Sequence, residues 1–211
     1  METEQIKQWA GEFGKQYTDR NFMTLDEMEI LWKRNYGFTR SHMNEIFLKG
    51  IPLNARILEV GSNVGNQLLC LRESGFKNLY GIELQWYAVE MSKRRTKHIN
   101  IIQGSSFDIP FKDQYFDIVF TSGLLIHIAP YDINYVLDEI YRCSKRFIWG
   151  AEYYNDEYVN VVYREKKALM WKGNFSKMFL ERFKDLHLLR EEFMKYLDNE
   201  NVDVMYLLEK R

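Results

Sequence analysis

Residues 55–65 read ARILEVGSNVG. A short apolar run closes with the carboxylate of Glu59, and the glycines Gly61 and Gly65 follow at once. Such a run, bounded by a glycine turn, reads as a buried strand. The next stretch, NQLLCLRESG, reads as a helix that stops at Gly75. In open α/β sheets ligands gather at the carboxyl ends of strands, and glycines there let the backbone turn sharply and approach a ligand closely. The spacing is E-x-G-x-x-x-G and not G-x-G-x-x-G. A carboxylate at that turn repels a pyrophosphate and attracts an ammonium group.

Working outward, NLYGIE (78–83), INIIQG (99–104), YFDIVFTSG (115–123) and SKRFIWGAEYY (144–154) read as further strands, with helices at QWYAVEMSKRR and YDINYVLDEIYRC. That alternation predicts a mostly parallel sheet with helices on both faces. DLHLLREEF and NVDVMYLLEK, separated by a polar turn, read as a C-terminal antiparallel hairpin. The expected class is α/β, Rossmann-like, with seven strands in the sheet. Residues 1–50 read as an N-terminal helical cap on a domain spanning 51–211. In it, Thr24 with Glu27 forms a capping-box pattern and Ser41 is a second cap. Residues 155–174, polar and aromatic, read as an insertion beside the site.

The formal net charge of −1 over 211 residues offers no electrostatic case for nucleic acid or an anionic membrane. No apolar run is long enough to span a bilayer, no signal-peptide core opens the chain, and Cys70 and Cys143 form no metal or disulfide pattern. The expectation is a cytoplasmic protein of undetermined oligomeric state, without a metal.

Glu83 closes the second strand about 20 residues beyond the glycine turn. An acidic residue there accepts the paired ribose hydroxyls of an adenosine cofactor. Ser105, Ser106 and Phe107 follow the third strand, where an adenine lies. TSGLLIHIAP follows the fourth, with Ser122 and Gly123 at its head and His127 the one histidine at a strand's carboxyl end. Histidine suits proton removal near neutral pH. No NPPY-like tetrapeptide stands there, which disfavours a nucleic-acid base as substrate.

In that order, EVGSNVG, YGIE, GSSFDIPF and FDIVFTSGLLIHI resemble the motifs of class I S-adenosylmethionine (SAM) dependent methyltransferases. A narrower resemblance, carried by WAGEFGKQYTDRN, SGLLIHIAP, IYRCSKRFIWGAEYYN and VVYREKKALMWKGNFS, is to the pseudaminic acid biosynthesis-associated methylases. This chain departs from them at Gly173 and Asn174, where that family tends to show arginine and aspartate. The resemblance implies SAM as cofactor, held by Glu59, Gly61, Ser62, Asn63, Gly65, Glu83, Leu84, Ser105, Ser106, Phe107, Ser122 and Gly123. It also implies that the segment bearing Tyr17 and Arg20 folds over the cofactor, Arg20 being placed to pair with the SAM carboxylate. For the acceptor, Glu152, Tyr153 and Tyr154 follow the fifth strand, and Tyr163 and Arg164 lie in the insertion. Arginine with tyrosines suits a small sugar, nonulosonic acid or related. The competing expectation is a SAM-binding protein without catalysis.

Overall fold

A computed structural model describes residues 3–211, apart from the side chain of Lys167. Four helices come first: α1 (Glu4–Ala10), α2 (Glu12–Arg20), α3 (Leu25–Tyr36) and α4 (Arg40–Phe47). The α3 capping box forms as its sequence predicts, with Thr24 and Glu27 each satisfying the other's backbone N–H. At α4 the cap is Thr39 and not Ser41; the Thr39 hydroxyl accepts the N–H of His42.

The strand–helix alternation then runs β1 (Arg56–Val60), α5 (Asn66–Glu73), β2 (Asn78–Glu83), α6 (Trp86–Lys93), β3 (Asn100–Gln103), β4 (Phe116–Ser122), α7 (Ile133–Cys143) and β5 (Ser144–Tyr153). The insertion is ordered: β6 (Val159–Tyr163) and β7 (Lys166–Lys172) pair as a separate antiparallel ribbon. After α8 (Phe175–Arg182), strands β8 (Leu186–Lys195) and β9 (Val202–Lys210) form the closing hairpin.

The main sheet has seven strands in the order β3-β2-β1-β4-β5-β9-β8. The first five are parallel and the last two antiparallel. Alternate residues feed two cores, one on each face. Leu58 and Val60 pack with α7 residues such as Val136 and Ile140, while Ile57 packs with Leu68 and Leu71 of α5 and Val89 of α6. Burial on both faces explains why the parallel strands are continuously apolar. The chain leaves β1 toward β3 on one side and returns to β4 on the other, so the switch point lies between the ends of β1 and β4. Both cysteines are free and buried. Among the described residues no helix is long and apolar enough to cross a membrane.

Candidate cofactor and acceptor site

The turns after β1, β2, β3 and β4 converge, with the first three helices and the start of α4, on one cavity of about 310 Å³. Its size is at the lower end of small-molecule sites. Glu59, Gly61, Ser62, Asn63, Glu83, Leu84, Ser105, Ser106, Phe107, Ser122, Gly123, His127 and Tyr17 all line it.

Gly61 turns the chain at φ +76°, a conformation that glycine adopts freely. A Cβ there would stand 2.8 Å from Leu124 Cδ1, so the turn must pass close to the one after β4. Glu59 is 3% exposed, and its Oε2 has no hydrogen-bond partner among the described residues. Burial holds its carboxyl well above the usual range, against the opposing charge of Arg40. Glu83 is differently employed. Its Oε2 accepts the N–H of Asn63 at 2.8 Å and its Oε1 that of Gln85 at 2.7 Å, fastening the first two turns together. Burial raises its pKa while those donors oppose the rise. A carboxylate offers about four lone-pair sites, so lone pairs remain for a diol.

His127 sits in a single 3₁₀ turn, residues 125–127, beyond β4. Its Nδ1 lies 2.8 Å from the carbonyl oxygen of Leu169 on β7. A carbonyl only accepts, so Nδ1 carries the proton and Nε2 presents a lone pair. Burial pushes the pKa down to about 4, which keeps the ring neutral at pH 7. The Trp9 ring packs against it, centroids 4.3 Å apart. Burial, and next to it the neighbouring Tyr163, raises the Tyr17 pKa, so its hydroxyl also stays neutral.

The helices α1 and α2 roof the cavity. Gln85 Nε2 donates to the carbonyls of Ala10 and Gly11, both at 2.8 Å, and so ties the α1–α2 bend to the turn after β2. Asn66 Nδ2 donates to Asn21 O at 2.7 Å, and Gln5 Nε2 to Ala168 O on β7 at 3.1 Å.

Several expected residues stand elsewhere. Gly65 is off the cavity; it starts α5 at φ +79°, where a Cβ would meet Ile101 and Thr96 within 3 Å. Arg20 is exposed and outside the cavity wall. Helix α2 turns Gly14, Tyr17, Thr18 and the following Asn21 inward, and position 20 falls about 120° from the centre of that face at 100° per residue. The cation inside the cavity is Arg40, 4% exposed. Its guanidinium stacks 4.5 Å from the Trp32 ring centroid, Nη2 approaches Ser122 Oγ at 3.5 Å, and Nε is unpartnered. Arg40 was missed because no motif surrounds it; the one signal is the stripe Met28, Leu31 and Trp32 on α3, which lines the same cavity.

The acceptor residues expected after β5 and in the insertion do not reach the cavity wall. Glu152 is 1% exposed and braces the turn after β4: its Oε1 accepts the N–H of Leu124 at 3.2 Å and its Oε2 that of Ile126 at 3.4 Å. Tyr153 packs on Tyr196 and Tyr154 on Phe193. Tyr163 contacts the His127 ring from behind, centroids 5.9 Å apart. Arg164 is exposed in the β6–β7 turn with φ +50°. The aromatic-plus-arginine pattern is thus explained by a hairpin that supports the site from outside. No group of three or more metal-binding side chains occurs among the described residues.

Residues 58–146 match the family model described as a methyltransferase domain. That segment, from β1 to the start of β5, is similar in sequence to methyltransferase domains. The chain is 25% identical over 142 residues to the sterol 24-C-methyltransferase of Schizosaccharomyces pombe, covering 58% of this chain and 37% of that protein. It is 29% identical over 120 residues to an uncharacterized methyltransferase of Staphylococcus carnosus, covering 50% of this chain and 56% of that one. The match therefore spans about half of these relatives' length or less. In fold, the methyltransferase is similar to the Burkholderia thailandensis 1,6-didemethyltoxoflavin-N1-methyltransferase, solved with that compound and S-adenosylhomocysteine. The TM-score is 0.67 at 11% identity, covering 94% of this chain and 89% of the other.

SAM, the cofactor of this domain class, fits the residues present. The cavity holds a buried, unpartnered carboxylate oxygen on Glu59 and a buried, unpartnered guanidinium nitrogen on Arg40. Those are the complements of an ammonium and a carboxylate on one amino acid. Glu83 lies at the end of the neighbouring strand, and the turn at Gly61 has no room for a side chain.

Proposed function

We propose that this domain methylates a hydroxyl or amine of a small molecule. The carrying observation is the pair Arg40 and Glu59, a guanidinium and a carboxyl buried on one cavity wall without a bond between them. That wall suits the aminoacyl end of SAM, and Glu83 suits its ribose. Leu84 and Ser105–Phe107 suit the adenine, and Ser122 and Gly123 flank the reacting centre. SAM, when bound, supplies a methyl group on a positively charged sulfur.

The protein's part is alignment and exclusion of water. The roof of α1 and α2 encloses the reaction, and His127 offers Nε2 as the acceptor of the nucleophile's hydrogen bond. The finer reading is a sugar of the nonulosonic acid pathway, supported by the resemblance of WAGEFGKQYTDRN, VVYREKKALMWKGNFS and their companions to the pseudaminic acid-associated methylases. A small acceptor is also in keeping with the small molecule bound by the Burkholderia fold neighbour. A reducing, cytoplasmic setting belongs to this reading, supported by the free thiols of Cys70 and Cys143.

The test is calorimetry with SAM, followed by S-adenosylhomocysteine release in the presence of nonulosonic acid sugars and their precursors. Saturable SAM binding with acceptor-dependent release is expected. No binding at millimolar SAM overturns the enzyme reading; binding with release on a non-sugar acceptor overturns the sugar alone.

A further inference from the structure

We propose that the methyl acceptor binds under α1, among Gln5, Trp9, Tyr17 and His127, and that it is an uncharged small molecule able both to donate and to accept hydrogen bonds. This rests on the methyltransferase reading and names the substrate class of the same site.

The four side chains line the cavity beyond the three charged groups suited to SAM. Each has unused hydrogen-bonding capacity among the described residues. Gln5 is 7% exposed; its amide nitrogen is spent on Ala168 and its Oε1 is unpartnered. Trp9 Nε1 is a buried donor without an acceptor. The Tyr17 hydroxyl and His127 Nε2 have no partner either, His127 using only Nδ1. A protein leaves a buried polar group unpaired at about 1–3 kcal/mol, so the buried Gln5 Oε1 and Trp9 Nε1, beside a hydroxyl and an imidazole nitrogen that also face the cavity, point to a ligand that satisfies them. Two of the four are pure acceptors, one a pure donor and one either.

The same list excludes charge. The arginine and carboxyl side chains on the cavity wall are Arg40, Glu59 and Glu83, and all three suit the needs of SAM. His127 is neutral. Among the described side chains of the insertion turn, Arg164 is exposed and Lys166 bonds Gln8 Oε1 at 2.6 Å outside the cavity. A carboxylate enclosed here would lack a counter-ion among the described residues, and a buried unpaired charge costs several kcal/mol. The rings of Trp9, Tyr17 and His127, with Trp9 4.3 Å from His127 and 5.1 Å from Tyr17, present flat apolar walls as well. A neutral hydroxylated or heterocyclic molecule meets both demands, and a free nonulosonic acid does not.

The chemistry balances. The acceptor's lone pair forms the bond to the methyl carbon, the carbon–sulfur pair returns to sulfur, and the acceptor's proton passes to His127 Nε2. The attacking atom of the acceptor becomes a far stronger acid as that bond forms, so a weakly basic imidazole suffices.

The experiment uses SAM labelled in its methyl group and the low-molecular-weight fraction of the source cells, split by ion exchange into neutral, anionic and cationic pools. Label is expected to enter the neutral pool with wild type. Transfer should fall at least tenfold in Gln5→Leu and in Trp9→Phe, with SAM affinity by calorimetry unchanged. The purified acceptor, added without SAM, should quench tryptophan emission in wild type and less in Trp9→Phe. Label in a charged pool, label in none, or full transfer by both variants overturns the proposal. Loss of SAM binding by wild type would instead overturn the enzyme reading beneath it.

Discussion

Arg40 and Glu59 share a cavity wall, are both almost fully buried, and form no ion pair. Burying two charges apart is unfavourable unless a ligand joins them. The pair is therefore a binding device that costs stability in the free protein. Arg40→Met keeps the bulk and removes the charge. It should keep or raise Tm while weakening SAM by about 10- to 100-fold, since charge-assisted bonds contribute roughly 1.5–3 kcal/mol. Arg20→Ala, on the exposed flank of α2, should change neither. Calorimetry and thermal melts on the three proteins decide it; equal SAM affinity in Arg40→Met would refute the assignment.

Glu83 joins two turns through Asn63 and Gln85. Glu83→Gln keeps one acceptor oxygen and puts an NH₂ opposite a backbone N–H. We expect SAM affinity to drop about tenfold and Tm to fall together, unlike the Arg40 variant. A variant that loses affinity at unchanged Tm would show that the fastening role is minor.

Gly61→Ala would be strained at φ +76° and would press Leu124 Cδ1 at 2.8 Å. The side chain of Leu124 can swing, so the stability loss should be modest, about 1–2 kcal/mol. The swing carries Leu124 into the cavity it lines. SAM affinity should suffer more than Tm, which titration against urea midpoints can establish.

Stability should fall between pH 5 and pH 8. Burial raises Asp203 to about 7 against the hydroxyls of Tyr36 and Tyr196, and raises Glu152 to about 7. Between about pH 4 and 7 the folded protein keeps protons on both that the unfolded chain has released, so stability declines as pH rises through the folded values. His127, lowered from 6.5 to about 4, works the other way: its folded form stays neutral where the unfolded chain is protonated, so stability rises over pH 4–6.5. Two groups outweigh one. Asp203→Asn should flatten the slope by on the order of 1 kcal/mol per pH unit, read from melts at pH 5, 6.5 and 8. An unchanged slope would show that Asp203 does not titrate in that range.

The strands, their helices and the closing hairpin were legible because each β–α unit has its own apolar run and glycine stop. The places of Glu59 and Glu83 on the cavity wall were legible because each stands at the end of a parallel strand beside the glycine turn. Arg20 and Arg40 could not be told apart by composition. Both are helical arginines near the amino terminus, and only the rotational phase of α2 and the path of α4 decide which is enclosed. Residues 155–174 concealed a hairpin because its turn carries the exposed Arg164, Glu165 and Lys166 while Tyr163 packs against His127. Glu152 was misread for the same reason: the sequence shows a carboxylate at a strand end, while its direction toward the backbone of Leu124 and Ile126 depends on how tightly the 3₁₀ turn folds.

Finally, the amide of Gln85 holds two carbonyls at the α1–α2 bend. A cover fastened on that side, and again through Gln5 to the β7 ribbon, has to lift before a nucleoside can come or go. Severing that one amide, as in Gln85→Leu, is expected to shorten the residence time of S-adenosylhomocysteine, read as its dissociation rate.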